Sequence, residues 1–477
     1  MQSHERELHL GWILALCCLA QFMVILDVSV VNVALPSIKN DLGFAPADLQ
    51  WIVNAYTLTF AGFLLLGGRA ADLLGHRPVF IAGLLLFAAA SLAGALSTSQ
   101  LGLELARGAQ GLGGAIVAPV TLSILTTSFT DPAERRRAMG IWGAMGGAGG
   151  AAGVLLGGIL TEAFGWQSIL LINVPVALAI AAGARRYVPR PERDRGEHNY
   201  DVLGAVTVTA ALLILTYAIV RTDVNGWGSP ETLVTAGIGL ALLVAFVWIE
   251  RHATRPLVPL GIFASRVLTT ANLVVFFLGA SAFAMWYFAS LYLQEVLGLS
   301  PIETGLAFLP MTAAIIAAST QAGRIAHRLG AGRALAVGMA LIAVGMALFA
   351  RVATDGSYAV DVLVPGILTA FGIGLCFVNV TIVAMSGVAM PQAGLASGLI
   401  NTSRTFGGSL GLAILATIAT QTEHGHGAVA LTSGFHHAFL LGAGLAALGA
   451  VIALRGLHGS RVATGQTAFA EDLQPGR

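Results

Sequence analysis

Gly68-Arg69-Ala70-Ala71-Asp72-Leu73-Leu74-Gly75 closes one long apolar run, and Gly323-Arg324-Ile325-Ala326-His327-Arg328-Leu329-Gly330 closes another far downstream. Both read G-R-x-x-x-x-L-G. An internal echo of this kind marks a chain built from two related halves, as many membrane transporters are. Aligning the echoes pairs the first six apolar runs with the last six and leaves a central pair without partners. The expected architecture is therefore two six-helix bundles plus an inserted two-helix hairpin, with domains at 1–190, 191–265 and 266–477.

The runs themselves fall at about 10–35, 49–70, 79–98, 101–126, 138–162, 168–187, 202–220, 232–250, 268–293, 303–323, 334–352, 360–385, 395–420 and 436–455. Each approaches the length of about 20 apolar residues that crosses a bilayer. Of 477 residues 56% are hydrophobic and only 10% charged, against about 25% charged in soluble chains. The sequence predicts an all-α integral membrane protein with fourteen transmembrane helices, and it leaves no segment long enough for a soluble domain.

Basic residues accumulate in cytoplasmic loops. An inside N-terminus places 20 of the 25 lysines and arginines in the cytoplasm, the runs around Arg135, Arg185 and Arg193 among them. Both termini are thus expected there. Lys39 is the only lysine, so no Walker A lysine exists for ATP-driven pumping, and work must come from a gradient. Cys17, Cys18 and Cys376 lie in apolar runs and read as packed small residues. His424, His426, His436 and His437 cluster near the last outer loop, where a solvated loop is the plainer reading than a metal or pH sensor. No HExxH, GxSxG, GxGxxG or CxxC pattern offers a catalytic site, and no metal or cofactor is expected.

Asp27 is the acid placed deepest in a span, and a carboxylate there costs about 2.5 to 3.5 kcal/mol on insertion scales. Arg107 is similarly costly. At 1.5 Å per residue Asp27 lies about 13 Å inward of the Pro36 end of its helix and Arg107 about 9 Å inward of the Leu101 end. Those ends share a membrane face, so the two side chains fall at similar depth. One reading is a static buried ion pair. The other is a proton site, because burial opposes a carboxylate's charge and a guanidinium supports it; a moving arginine or an arriving cation would switch Asp27. Glu104, one turn from Arg107, could share that arginine.

Asn32, Asn54, Tyr56, Gln110, Asn272, Phe276, Phe283, Trp286, Tyr287, Tyr292, Gln294, Asn379 and Asn401 lie within the spans. As cavity-lining groups they would favour hydrophobic or cationic organic molecules; otherwise they are interhelical hydrogen bonds and interface anchors. The fifth run carries Gly149, Gly153 and Gly157 at intervals of four, with Gly143, Gly146, Gly147, Gly150 and Gly158 beside them. Such spacing puts small residues on one face for close backbone approach, either as static packing or as a sliding contact between the halves. Ala313, Ala314, Ala317 and Ala318 in the tenth run offer a matching face. In the first echo, Gly75 permits a tight turn, and Asp72 and Arg77 are candidates for a latch.

In this order, these residues resemble the major facilitator superfamily, and within it the fourteen-helix drug:H+ antiporters, across residues 10–455. Leu26-Asp27-Val28-Ser29-Val30-Val31-Asn32-Val33-Ala34-Leu35-Pro36 looks like the family's first-helix signature, residues 68–78 like its loop motif, and Arg107-Gly108-Ala109-Gln110-Gly111 like its fourth-helix motif. Tyr200-Asp201-Val202-Leu203-Gly204 is similar to a segment flanking the extra hairpin, and residues 292–300 to the end of the ninth helix. Two departures stand out: Val154 follows Gly153 where the family has proline, and Trp166-Gln167-Ser168 replaces W-R-W ahead of an intact Asn173-Val174-Pro175. The resemblance implies a proton-coupled exporter of hydrophobic or cationic drugs, neutral or monovalent, working as a monomer in a bacterial plasma membrane. Asp27 and Arg107 would couple protons, and Gly68, Asp72, Gly75, Arg77, Gly149, Gly153, Gly157 and Gly158 would serve conformational change. Protons, organic substrates and membrane lipid are the implied partners, and nucleic acid is not. A dedicated exporter of one metabolite or antibiotic is the alternative, with a non-transporting receptor of the same fold behind it.

Overall fold

The computed structural model describes residues 2–189, 201–253, 256, 258, 260–386, 393–425 and 427–457. The helices are α1 (Gln2–Leu42), α2 (Trp51–Leu74), α3 (His76–Ala95), α4 (Gln100–Ser128), α5 (Pro132–Phe164), α6 (Gln167–Leu171), α7 (Asn173–Tyr187) and α8 (Val202–Asn225). They continue with α9 (Pro230–His252), α10 (Arg266–Leu291), α11 (Pro301–Leu329), α12 (Ala331–Phe349), α13 (Val364–Ser386), α14 (Ala393–Gln421) and α15 (Ala428–Gly456).

Local chemistry sets many of the boundaries. Ser99, Ser229 and Ser300 each accept a backbone N–H at the start of a helix, satisfying donors that have no partner inside the first turn. At Ser300 the Glu303 side chain returns a bond to the cap backbone, completing a capping box. α2 and α11 end on Gly75 and Gly330, with φ of 91° and 85° and ψ of 141° and 142°. That region of backbone space is nearly restricted to glycine. The two echoes in the sequence thus make the same turn in both halves.

Among the described residues, twelve helical segments are long and apolar enough to cross a membrane. The sixth expected run is one of them, but it is broken into α6 and α7 at Ile172. Pro175 explains the break, since it has no N–H for the carbonyl four residues back. α2 and α14 are the expected runs outside the twelve. In α2 only Trp51–Leu64 stands out as apolar, and α14 opens with Asn401, Thr402, Ser403 and Arg404 in its first half.

The chain packs as two sets of helices. In the first, α1 lies along α5, α2 and α3 lie against α4, and α7 against α3; in the second, α10 packs on α14 and α15, and α12 and α11 on α13. The sets meet where α5 crosses α11, α2 crosses α14 and α1 touches α10. One apolar core sits inside the first set around Phe80, Phe87 and Val117. The other fills the second set around Phe288, Phe349 and Phe439 and runs on into Val30, Val31, Leu35 and Ile38 of α1. The two sets therefore share a continuous core at the end of the bundle that holds Pro36 and Pro301. Three hydrogen bonds that bridge the sets lie on the same side: Ser290 Oγ donates to Asn32 O, Gln294 Nε2 to Val33 O and Ile302 N to Glu162 Oε2.

α8 and α9 pair with each other, and α8 also lies against α2 and α14. α9 leaves Leu233, Val234, Leu240, Val244 and Trp248 largely exposed. An apolar helix face of that extent is stable against lipid and not against water.

Candidate functional site

Asp27 sits at mid-length in α1 with no solvent exposure. Its Oδ2 accepts from Arg107 Nη1 at 2.7 Å, and its Oδ1 accepts from Gln110 Nε2 and Asn173 Nδ2, each at 2.7 Å. Arg107 also donates Nη1 to Gln110 Oε1 at 2.6 Å and Nε to Ile52 O at 3.2 Å. Its guanidinium carbon lies 4.5 Å from the centre of the Tyr56 ring. Gln110 completes the network with a 2.7 Å bond to Ser91 Oγ. Five helices contribute: α1, α2, α3, α4 and α7.

The arrangement follows from helix geometry. Arg107 and Gln110 are three apart on α4 and so project from one face. Asn173 begins α7 just past the break at Ile172, which lets its amide reach Asp27. A buried charge is tolerated when it is paired and its remaining lone pairs are satisfied, and Asp27 meets both conditions. Arg107 has other acceptors, Gln110 Oε1 and Ile52 O, and an aromatic face besides. Its donors would therefore keep partners if Asp27 lost its charge, which is the property a protonatable pair requires.

Glu104 does not join this network. Arg107 is taken up by Asp27, Gln110 and Ile52, and the charged neighbours of Glu104 are Asp48 and Arg221. The two share a face of α4, and the axial rise of about 4.5 Å over one turn sets Glu104 beside different neighbours.

The other polar and aromatic candidates do not converge on one cavity. Tyr287 and Tyr292 are buried in the core of the second set, Tyr287 edge-on to Phe288 and Tyr292 donating its hydroxyl to Ala353 O. Trp286 packs edge-on to Phe308. In this arrangement these three rings pack within or against that core. Their bulk explains the placement, because aromatic rings bury the most apolar area per residue. Gln294 and Asn32 belong to the bridge between the sets. Asn54, in the first turn of α2, accepts from Ser409 Oγ of α14 at 2.8 Å, a further bridge between the sets. Asn272 accepts from Ser403 Oγ and donates to Leu268 O, while Asn379 donates to Leu375 O. Phe276 lies edge-on to Phe277. Of the candidates, Asn401 lines one pocket, with Arg404 beside it, and Gln294 lines another near Pro36 and Lys39.

For the glycine face of α5, read from sequence as either static packing or a sliding contact, the structure shows the neighbour. A Cβ at Gly149, Gly153 or Gly157 would meet α1, at Phe22, Ser29 and Val30 respectively. This face packs inside its own set. The contact with α11 is made by Val154 and Gly158: Gly158 lies against Pro301 and Ile302, and Val154 against Gly305. Ala318 packs with Ala322 and Leu375 toward α13 instead of α5. Spacing of four identifies a face of small residues but not the neighbour that uses it. In the first echo, Arg77 donates to Arg185 O, and Gly68 lies against Pro119. The side chains of Asp72, Gly146 and Gly147, and His426 entirely, lie outside the described residues.

Three residues went unassigned on sequence. Asn173 was visible as the asparagine of an N-x-P, but nothing local tells which carboxylate it reaches. Lys39, notable only as the sole lysine, pairs with Glu295 across the two sets. Arg404 was visible as an arginine inside a span. The cysteines are free and buried as expected. His436 and His437 contact backbone carbonyls, and no group of His, Cys, Asp and Glu suited to a metal occurs among the described residues.

The chain belongs to the Major Facilitator Superfamily, whose model matches residues 17–412. A cephamycin export protein of Amycolatopsis lactamdurans is 42% identical over 430 residues, covering 90% of this chain and 88% of that one. A puromycin resistance protein of Streptomyces alboniger is 39% identical over 438 residues, 90% and 86% of the two chains. A tetracenomycin C resistance and export protein of Streptomyces glaucescens is 34% identical over 396 residues, 83% and 73%. Among solved structures, an auto-inhibited POT family peptide transporter aligns with TM-score 0.70 at 18% identity over 95% of this chain and 97% of its own. A bacterial homologue of the lysosomal transporter Spinster, inward-facing and unoccupied, aligns with TM-score 0.66 at 16% identity over 94% and 97%. The last two share the fold.

Proposed function

We propose that the protein is a proton-coupled exporter of antibiotics and other small organic compounds in a bacterial plasma membrane. The observation that carries this reading is the Asp27 network: a fully buried carboxylate at mid-length of α1, met by an arginine and an amide of α4 and an amide of α7. A merely structural bundle has no need of so costly a group. In a superfamily member with antibiotic exporters among its relatives, it fits a site that takes a proton from outside and gives it up inside.

In this reading α2 and α14 also span, giving fourteen crossings with both termini cytoplasmic, and the Pro36 end faces outward. α1–α7 and α10–α15 rock against each other, with α8 and α9 inserted at one side, and the protein acts as a monomer. The bridges at the Pro36 end favour an arrangement closed to the outside and open to the cytoplasm, where an exporter loads its cargo. Protonation of Asp27 would release Arg107 to Gln110, Ile52 and Tyr56 and loosen α4 from α1. That change in helix contacts would link the proton to the rocking.

A narrower variant is favoured by the relatives, several of which are named for one antibiotic each. Uptake of ethidium and of a panel of antibiotics into everted vesicles, with the pH gradient intact or collapsed by an ionophore, tests both. Gradient-dependent movement of many unrelated compounds supports broad export, and movement of one supports a dedicated exporter. No movement of any compound, with the protein present and folded, sinks the proposal.

A further inference from the structure

Arg404 lies about 17 Å along α14 from its start, well inside that helix. Arg107 is neutralised by Asp27. Arg404 is not neutralised. Among the described residues no carboxylate pairs with it and no acceptor takes a hydrogen bond from its guanidinium; its neighbour is the Phe377 ring, 5.1 Å from the guanidinium carbon. The acids within reach of the membrane interior are engaged elsewhere, Asp27 in its own network and Glu250 with the backbone of Val258.

The guanidinium borders a cavity of about 110 Å³ between α10, α13 and α14, walled by Val275, Val380 and Ile400 and edged by Thr381 and Asn401. It lies on the side of mid-depth away from the bridged Pro36 end. An intramembrane arginine without a counter-ion, facing a cavity with apolar walls, is a counter-ion site awaiting an anion. A planar fork of donors suits a carboxylate in two-point contact.

We propose that this cavity is the subsite for the anionic end of the exported compound: a monoanionic carboxylate whose apolar or aromatic body lies along Phe377, Val380 and Ile400. This rests on the export reading and names its substrate class. The cavity is too small to hold a whole drug-sized molecule, so it seats the acid group while the remainder extends toward the space between the two sets.

The test uses the full chain, purified and placed in nanodiscs of zwitterionic lipid, with 4-(1-pyrenyl)butanoate and its uncharged primary amide as fluorescent probes. The wild type is expected to bind the acid at least tenfold tighter than the amide. Arg404→Gln should erase that preference while leaving amide affinity unchanged, which also shows the variant folded, and Arg404→Lys should keep part of it. Equal binding of acid and amide by the wild type overturns the proposal, as does a preference that survives in Arg404→Gln. Co-purified anionic phospholipid, lost in Arg404→Gln with no acid preference in either protein, also overturns it and assigns the cavity to a lipid headgroup. No gradient enters this binding measurement, so failure of export in vesicles would leave its outcome readable.

Discussion

Lys39 on α1 and Glu295 just past α10 form a two-point ion pair across the two sets of helices, with Nζ 2.9 Å and 2.8 Å from the two carboxylate oxygens. Both side chains are about one-fifth exposed, 22% and 17%, so the pair is reached by solvent and its strength is moderate. It sits beside the Gln294 and Ser290 bridges and closes the outer edge of the shared core.

Lys39→Ala should therefore shift the balance between arrangements without unfolding the protein. A partly screened pair of this kind contributes on the order of 1 kcal/mol, a change of about fivefold in population. Spin labels at Ser37 and Pro301 would read it, as a larger fraction of long distances in the variant. The exchange Lys39→Glu with Glu295→Lys should restore the wild-type distribution. Unchanged distances in Lys39→Ala would show that the apolar core alone holds that end closed.

Asp27 separates fold from coupling. Asp27→Ala strands Arg107 in the interior, and breaking a buried pair by removing one partner costs about 3 to 5 kcal/mol. A fall in melting temperature and yield is the expected result. Asp27→Asn keeps the shape and an acceptor oxygen for one of the donors, so it should fold better than alanine yet lose gradient-driven efflux. Normal efflux by Asp27→Asn at wild-type expression would move the proton to another group.

The α5 contacts predict two different outcomes from the same substitution. A Cβ at Gly153 would stand 2.6 Å from Ser29 Cβ inside the first set, and one at Gly158 would stand 2.4 Å from Pro301 O across the sets. Overpacking costs about 1 to 3 kcal/mol. Gly153→Ala should lower thermal stability, whereas Gly158→Ala should relieve its clash by parting α5 from α11 and so act on the conformational balance. Melting curves and the Ser37 to Pro301 distance, measured on both variants, distinguish the two. Equal melting-point losses with unchanged distances would show that the sets are not free to move apart there.

The repeat and the meeting of Asp27 with Arg107 were legible because each depends on spacing along the chain, whereas of the fourteen expected runs twelve are long and apolar enough to span among the described residues. Periodicity and rise per residue are local rules. What remained hidden depends on rotation about helix axes and on which helix lies next to which. Glu104 and Arg107 are three residues apart yet serve different neighbours. The glycine stripe of α5 was recognisable as a packing face but its partner was not, and Tyr287 and Tyr292 could have faced a cavity as easily as the core. Lys39 and Glu295 are 256 residues apart, and no pattern in either segment names the other.

The most local of these readings yields the last prediction. Gly75 and Gly330 share one positive-φ conformation at corresponding ends of α2 and α11, and a side chain held there costs about 1 to 3 kcal/mol in backbone strain. At Gly330 a Cβ would meet nothing within 4 Å, so Gly330→Ala measures the backbone cost alone. It should destabilise the protein by about that amount, while a substitution at Gly323, which also meets nothing within 4 Å and has no positive φ, should be nearly neutral. Comparison of the two melting temperatures checks this. An alanine tolerated at Gly330 as well as at Gly323 would mean that the turn after α11 readjusts freely, and the likeness of the two echoes would then be one of sequence without a shared constraint.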